Sequence, residues 1–408
     1  MRLGIDAVGS AGGVVSAAIC YTGDVSNPQR DSRYTLDYFL EYAAQLEACG
    51  VHFLTIKDMA GLLKPEAARL LVGGLRAEFP HIPIQVHTHD TAGTGVASML
   101  AAAAAGADSI DCCFDAVAGL TSQPSLGAIA ACSDAQFEPA ELEELNVYWE
   151  QVRGLYAPFE SGQKSGSADV YQNEIPGGQY TNLLFQAKQL NLGDRWPQIK
   201  RAYAAANRVL GDIPKVTPSS KVVGDLAQFM VANDDMSEET LRAKLRAGEA
   251  LSLPGSVVEY FEGQLGTPPG GFDEEVRTAI LAGAGQTPLV GRPGASAAPF
   301  DFAAARAELE SKWPERTFRD VDITSYALYP SVFREWVQFK EEFGRLAILP
   351  TRVFLEPMAV GEEATVEIEH GKVRSHSLGF ARNSLVCSSF VLFLSLFFFW
   401  WCSDRCCT

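Results

Sequence analysis

Two histidines two residues apart, His87 and His89 in the stretch Gln85-Val-His-Thr-His-Asp90, have the spacing of a metal-binding pair. Ile82, Ile84 and Val86, with Pro83 among them, predict a short strand, and alternation along a strand turns both imidazoles to one face. At the C-terminal end of a parallel strand, two convergent imidazoles suit a divalent metal, because a barrel enzyme carries its site on that face. Taken alone, the same pair also reads as two surface or hydrogen-bonded histidines.

Lys57 ends a second predicted strand, Val51 to Lys57, one unit earlier. A lysine at a buried strand end needs its charge paired or removed. Asp58 is one partner for it. The other reading is carboxylation of the amine by CO2, which turns Lys57 into an anionic oxygen ligand for the metal of His87 and His89. A further protein ligand and an open substrate position would complete such a site. Mixed nitrogen and oxygen donors suit Zn, Mn or Co.

These residues require elements to hold them. Apolar runs and helical spacing alternate: residues 16 to 24, a helix over 36 to 50, a strand over 51 to 57, a helix over 65 to 79, a strand over 81 to 89, a helix over 95 to 105, a strand over 107 to 114, and a helix from about Ser125. Four βα units, roughly thirty residues apart, predict a parallel sheet with right-handed crossovers. The phosphate-cradling glycine turn of a doubly wound sheet is absent, which favours a barrel. The expected fold class is α/β, the last four units of an incomplete (β/α)8 TIM barrel, followed by a helical domain and the start of a small β domain. Half a barrel would leave two edge strands and an uncovered apolar interior, so the sequence reads as a fragment.

The expected divisions are 1 to 135 for the half-barrel, 136 to 345 for helices over its mouth, 346 to 372 for the truncated β domain, and 373 to 408 for a tail. Gly and Pro between Gly266 and Gly294 predict a long surface connection. Residues 385 to 402 form an apolar run long enough for a transmembrane helix. Val373-Arg374 also permits codons of a splice-donor form, so the tail reads alternatively as translated intron.

The 408 residues are 47% hydrophobic and 20% charged, the composition of an ordinary globular protein. A net charge of -17 argues against nucleic acid and anionic membrane surfaces as partners. Cys20, Cys49, Cys112, Cys113 and Cys132 sit in apolar segments, as core residues of a reducing compartment do, and no zinc-type Cys-x2-Cys pairing occurs.

Longer motifs go further. Cys20-Tyr-Thr-Gly-Asp24, Ile56-Lys-Asp-Met-Ala-Gly-Leu-Leu-Lys-Pro65, His87-Thr-His-Asp-Thr91, Ser122-Gln-Pro124, Pro176-Gly-Gly-Gln-Tyr180 and Lys215-Val-Thr-Pro-Ser-Ser-Lys-Val-Val-Gly-Asp225 occur in that order. Together they resemble the pyruvate carboxylase family in its carboxyltransferase region, as far as about Lys372. The resemblance implies a barrel with a helical funnel across its mouth, then a small allosteric or tetramerisation domain. It makes Lys57 the carboxylated metal ligand and His87 and His89 the imidazole ligands. Thr217 becomes the hydroxyl that shuttles a proton between biotin and pyruvate, with Ser220 and Lys221 lining the biotin pocket. Read from its surroundings, Thr217 or Ser219 is also a helix cap.

The implied activity is that of a ligase, carboxyl transfer from carboxybiotin to pyruvate giving oxaloacetate for gluconeogenesis, in a homotetramer of the mitochondrial matrix or cytoplasm. Biotin would be carried, and ATP used, by domains absent from this chain. An Arg-Asp-Ala-His-Gln strand with the fourth metal ligand, the arginine for the pyruvate carboxylate and a Met-Lys-Met biotin site are all missing, so this fragment alone is expected to be inactive. Two alternatives stand beside this reading. One is the carboxyltransferase subunit of an oxaloacetate decarboxylase or transcarboxylase, against which the β pattern of Pro350 to Glu369 argues. The other is a non-catalytic half-barrel tethered to a membrane by residues 385 to 402.

Overall fold

The computed structural model describes residues 2–29, 33–134, 139–234, 236–249, 251–344, 346–355, 358–369 and 372–377. The chain divides into two compact units, one running to Arg153 and over Phe159–Ser296, the other comprising Gly154–Pro158 and the chain from Ala297.

In the first unit a leading helix, α1 (Arg2–Ser10), precedes four βα repeats. The strands are β1 (Ser16–Tyr21), β2 (Phe53–Asp58), β3 (Ile84–His87) and β4 (Ser109–Ile110), all parallel and in sequential order. The helices between and after them are α2 (Leu36–Glu47), α3 (Pro65–Glu78), α4 (Gly95–Ala104) and α5 (Leu126–Ala131). Local chemistry sets their starts. Thr35 caps α2 by accepting from the Tyr38 N–H, Pro65 occupies the first turn of α3, and Ser125 caps α5 by accepting from Ala128 N–H.

One face of the sheet packs on the helices. Ala17, Ile19, Tyr21, Leu54, Ile56, Ile84 and Val86 are buried with Phe39, Leu46, Leu71, Leu75 and Met99 in one core. The alternate positions form the other face, and there the expected apolar interior is corrected. It carries a polar ladder instead: Ser16 Oγ lies 2.6 Å from Thr55 Oγ1, Thr55 Oγ1 donates to Gln85 Oε1 at 3.1 Å, and Gln85 Nε2 donates to Asp111 Oδ1 at 2.8 Å.

Strands β3 and β4 are shorter than the sequence predicts. After His87 the backbone leaves the ladder, and Asp90 N–H donates to Ser122 O at 2.8 Å. After Ile110 the chain turns to bridge Cys113 with Ser125, which carries residues 113 to 125 away from β3.

A helical layer completes this unit: α6 (Pro139–Leu155), α7 (Val170–Asn173), α8 (Gly177–Gln189), α9 (Trp196–Val209), α10 (Ser219–Ala232), α11 (Glu238–Arg246), α12 (Gly255–Glu262) and α13 (Glu274–Ala284). Ile175, Leu183, Tyr203, Val223, Leu226 and Phe261 lie at the centre of its own core. Helix α13 stands where a surface connection was predicted. Asp273 caps it by accepting from Val276 N–H, and Val276, Ile280 and Leu281 are buried, so its apolar stripe outweighs the flanking Gly and Pro.

The second unit has helices over Phe302–Lys312, Asp320–Leu328 and Pro330–Phe343 around Leu309, Phe318, Phe333 and Val337. It also has an antiparallel hairpin of β5 (Glu363–Glu369) and β6 (Lys372–Ser377), as the alternation near Thr365 predicts. The apolar run 385 to 402 lies outside the described residues. Among those described, no helix is long and apolar enough to cross a membrane.

Leu54 has no exposed surface. Replacing it by Ala is expected to cost about 3 kcal/mol through lost burial and the cavity left behind, read as a lower urea midpoint.

Candidate functional site

Consecutive residues of β2 face opposite ways, and this separates Lys57 from Asp58. The Asp58 side chain is fully buried on the helix side. Its Oδ1 accepts from the N–H groups of Ala60, Gly61 and Leu62 at 3.4, 3.0 and 2.9 Å, and its Oδ2 accepts from Leu63 N–H at 2.8 Å and from the Thr88 hydroxyl at 2.6 Å. With its lone pairs filled in this way, Asp58 is no partner for Lys57, and that sequence expectation is corrected.

Lys57 lies half-buried on the other face, in register with Cys20 of β1 and His87 of β3. The loop after it returns closely. Gly61, at φ +83°, packs so tightly against the His89 carbonyl that any Cβ there would run into it, which is why glycine is required.

His87 and His89 come together as predicted, their ring centroids 5.4 Å apart and their planes 83° to each other. His89 stands just beyond the strand rather than on it. Each imidazole is held by Nδ1. His87 Nδ1 lies 2.8 Å from Asp111 Oδ2, and this hydrogen bond holds the Asp111 carboxyl below its usual range, so the carboxylate accepts and Nδ1 carries the proton. His89 Nδ1 lies 2.6 Å from the Thr121 carbonyl, which can only accept. Burial depresses the His89 pKa, the Thr121 hydrogen bond opposing it, which favours a neutral ring. With Nδ1 so engaged, Nε2 is the nitrogen of each ring left to give a lone pair. Metal-binding histidines are held in this same way. Among the described residues, no three His, Cys, Asp or Glu side chains group as metal ligands.

The other predicted residues lie at the start of α10. Thr217 and Lys221 are exposed, whereas Ser220 is buried. No side chain caps α10, because Ser219 Oγ turns back to the carbonyls of Pro214 and Val216 at 2.7 and 2.6 Å. The expected capping role of Thr217 or Ser219 is therefore corrected. Lys221 pairs with Asp225 one turn on.

Lys215, two residues before Thr217, is only 2% exposed. Its Nζ donates to Glu174 at 2.7 Å and to Thr22 Oγ1 at 3.4 Å, fixing this segment over the C-terminal end of β1. A polar cavity of about 380 Å³ adjoins the pair, lined by Thr22, Asp24, Lys64, Asn207 and others. None of Lys57, His87, His89 or Thr217 lines it.

Two family models match the chain: "HMGL-like" over residues 6–129, the four βα repeats, and "Conserved carboxylase domain" over residues 170–376. Pyruvate carboxylase 1 of Caenorhabditis elegans is 52% identical over 379 residues, and the mitochondrial pyruvate carboxylase of Homo sapiens 50% identical over 380 residues. The chain belongs to the pyruvate carboxylase family. Each alignment covers 91% of this chain but 32% of the relative, so the chain spans about a third of their length. The carboxyl transferase domain of Rhizobium etli pyruvate carboxylase, solved with pyruvate and biocytin, is 42% identical with a TM-score of 0.88, covering 94% of this chain and 64% of that one.

Sequence reasoning missed Asp111, the Thr121 carbonyl and Glu174. Asp111 carried a signal, being a carboxylate in the strand predicted to follow that of His87.

The two lysines near Thr217 are expected to respond differently. Lys215→Ala leaves Glu174 without its partner and should cost about 4 kcal/mol, whereas Lys221→Ala breaks a surface pair and should cost less than about 1 kcal/mol. Chemical denaturation of both variants checks the contrast.

Proposed function

We propose that this chain supplies part of the carboxyltransferase centre of a biotin-dependent pyruvate carboxylase, which moves a carboxyl group from carboxybiotin to pyruvate and forms oxaloacetate. The observation that carries the reading is the pair of imidazoles, each with Nδ1 engaged and Nε2 left as a donor, beside Lys57 at the ends of adjacent parallel strands. The donor set fits a divalent metal if the Lys57 ammonium loses a proton, its amine adds CO2 and a second proton leaves to give the carbamate, since an ammonium has no lone pair to give and a carbamate oxygen does. Zn, Mn and Co all suit such a set.

A metal bound there supplies positive charge near the pyruvate carbonyl, where negative charge develops as the methyl proton leaves. The chain's own residues do the rest. His87 and His89 are fixed in direction by Asp111 and Thr121. The Thr217 hydroxyl relays the methyl proton to the biotin nitrogen as CO2 departs, and as a neutral group it adds no charge to the site. Ser220 and Lys221 line the pocket for the biotin ring. The four βα repeats then form half of a (β/α)8 barrel, and helices α7 to α13 of the same unit form its cover. A separate domain carries the biotin, another uses ATP, and the whole assembles as a homotetramer in the mitochondrial matrix or cytoplasm.

In the enzyme that carries this region, Thr217→Ala is expected to slow carboxyl transfer by at least about 100-fold with metal content unchanged. Loss of metal in that variant would make Thr217 structural instead. His87→Ala and His89→Ala are each expected to strip the metal, measured by elemental analysis of the purified protein.

A further inference from the structure

Gly177 opens α8 and is buried against the ring of His89. A Cβ built on it would stand 2.5 Å from His89 Nδ1 and 2.9 Å from the Thr121 carbonyl oxygen. Those are the two atoms that share the hydrogen bond orienting the imidazole. Real Cβ atoms do not approach so closely, and neither a ring held by its hydrogen bond nor a backbone carbonyl has a flexible end that could yield. Gly177 is also held from its other side, its N–H donating to Met59 O at 2.8 Å in the loop that Asp58 organises. The neighbouring Gly178 is exposed, with open space where its Cβ would be.

The four residues ending at Gly177 are pinned in turn. Glu174 adopts the left-handed region at φ 56° and holds Lys215, two residues short of Thr217. Ile175 is fully buried, and its N–H donates to Asn173 Oδ1 at 3.0 Å. On the far side of α8, Gly224 of α10 lets Gln179 and Leu183 approach, where a Cβ would stand 2.9 Å from Gln179 Nε2. One short segment therefore touches the imidazole at one end and the Thr217 segment at the other.

We infer that Gly177 is a positioning residue: its bare Cα leaves room for the His89–Thr121 hydrogen bond, in which Nδ1–H donates to the carbonyl, while Glu174 to Gly177 fixes that ring relative to the segment carrying Thr217. The use made of Nε2 rests on the metal reading above. The state of the ring does not.

The test uses the full chain labelled with 15N at histidine. In the unaltered protein the His89 ring is expected to carry a proton on Nδ1, hydrogen-bonded to the Thr121 carbonyl, and a neutral ring protonated on Nε2 instead would overturn the inference. Gly177→Ala is expected to shift the ring away from the Nδ1-protonated tautomer, with Gly178→Ala unchanged. The same tautomer in both variants would overturn the inference. A Mn2+ titration adds the second readout, with affinity falling ten- to hundredfold in Gly177→Ala and not in Gly178→Ala. If the unaltered chain bound no Mn2+ but the tautomer still shifted, the metal reading would fail and the role of Gly177 would stand.

Discussion

A carboxylate sealed from water keeps its charge only if hydrogen bonds replace the water it has lost, and Asp58 receives five. Four come from the backbone of residues 60 to 63 and fold the loop after β2 back upon itself. The fifth is the hydroxyl of Thr88, between the two histidines. The same carboxylate thus anchors the strand end that presents Lys57 and the strand end that presents His87 and His89. Neither end can move without uncovering a buried charge.

Around that anchor, polar groups on the opposite face of the sheet form a line from Ser16 through Thr55 and Gln85 to Asp111, which holds His87. The helical layer reaches the same region at two points, with Gly177 against His89 and Lys215 against Thr22. Lys215 is nearly inaccessible and needs Glu174 beside it, so the burial that makes this contact costly to break also fixes where Thr217 begins. Each imidazole is oriented by a group distant in sequence, Asp111 or Thr121, and only the packed fold brings those groups within reach.

The residues legible in the sequence were those whose placement follows from local periodicity. Alternation put His87 on the correct face, and strand-end position picked out Lys57. The same alternation places Asp58 opposite Lys57, although adjacency alone suggested a pair. Asp111 and Thr121 lie 24 and 32 residues from their histidines, and nothing local links them. The short reach of β3 and β4 was hidden because Asp90 and Cys113 spend their hydrogen bonds on the loop over residues 122 to 125 rather than on the sheet. Helix α13 was hidden by the Gly and Pro on either side of it, whereas the capping Asp273 and the apolar stripe Val276, Ile280, Leu281 were present to be read.

The centre stands or falls on whether Lys57 becomes a ligand, because two imidazoles alone do not make a catalytic metal site. The direct measurement is 13C NMR of the protein carrying this region, purified with a divalent metal and supplied with 13C-bicarbonate. A carbamate resonance that disappears in both Lys57→Ala and His87→Ala is the expected result. Stoichiometric metal bound to the unaltered protein with no carbamate signal would contradict the site.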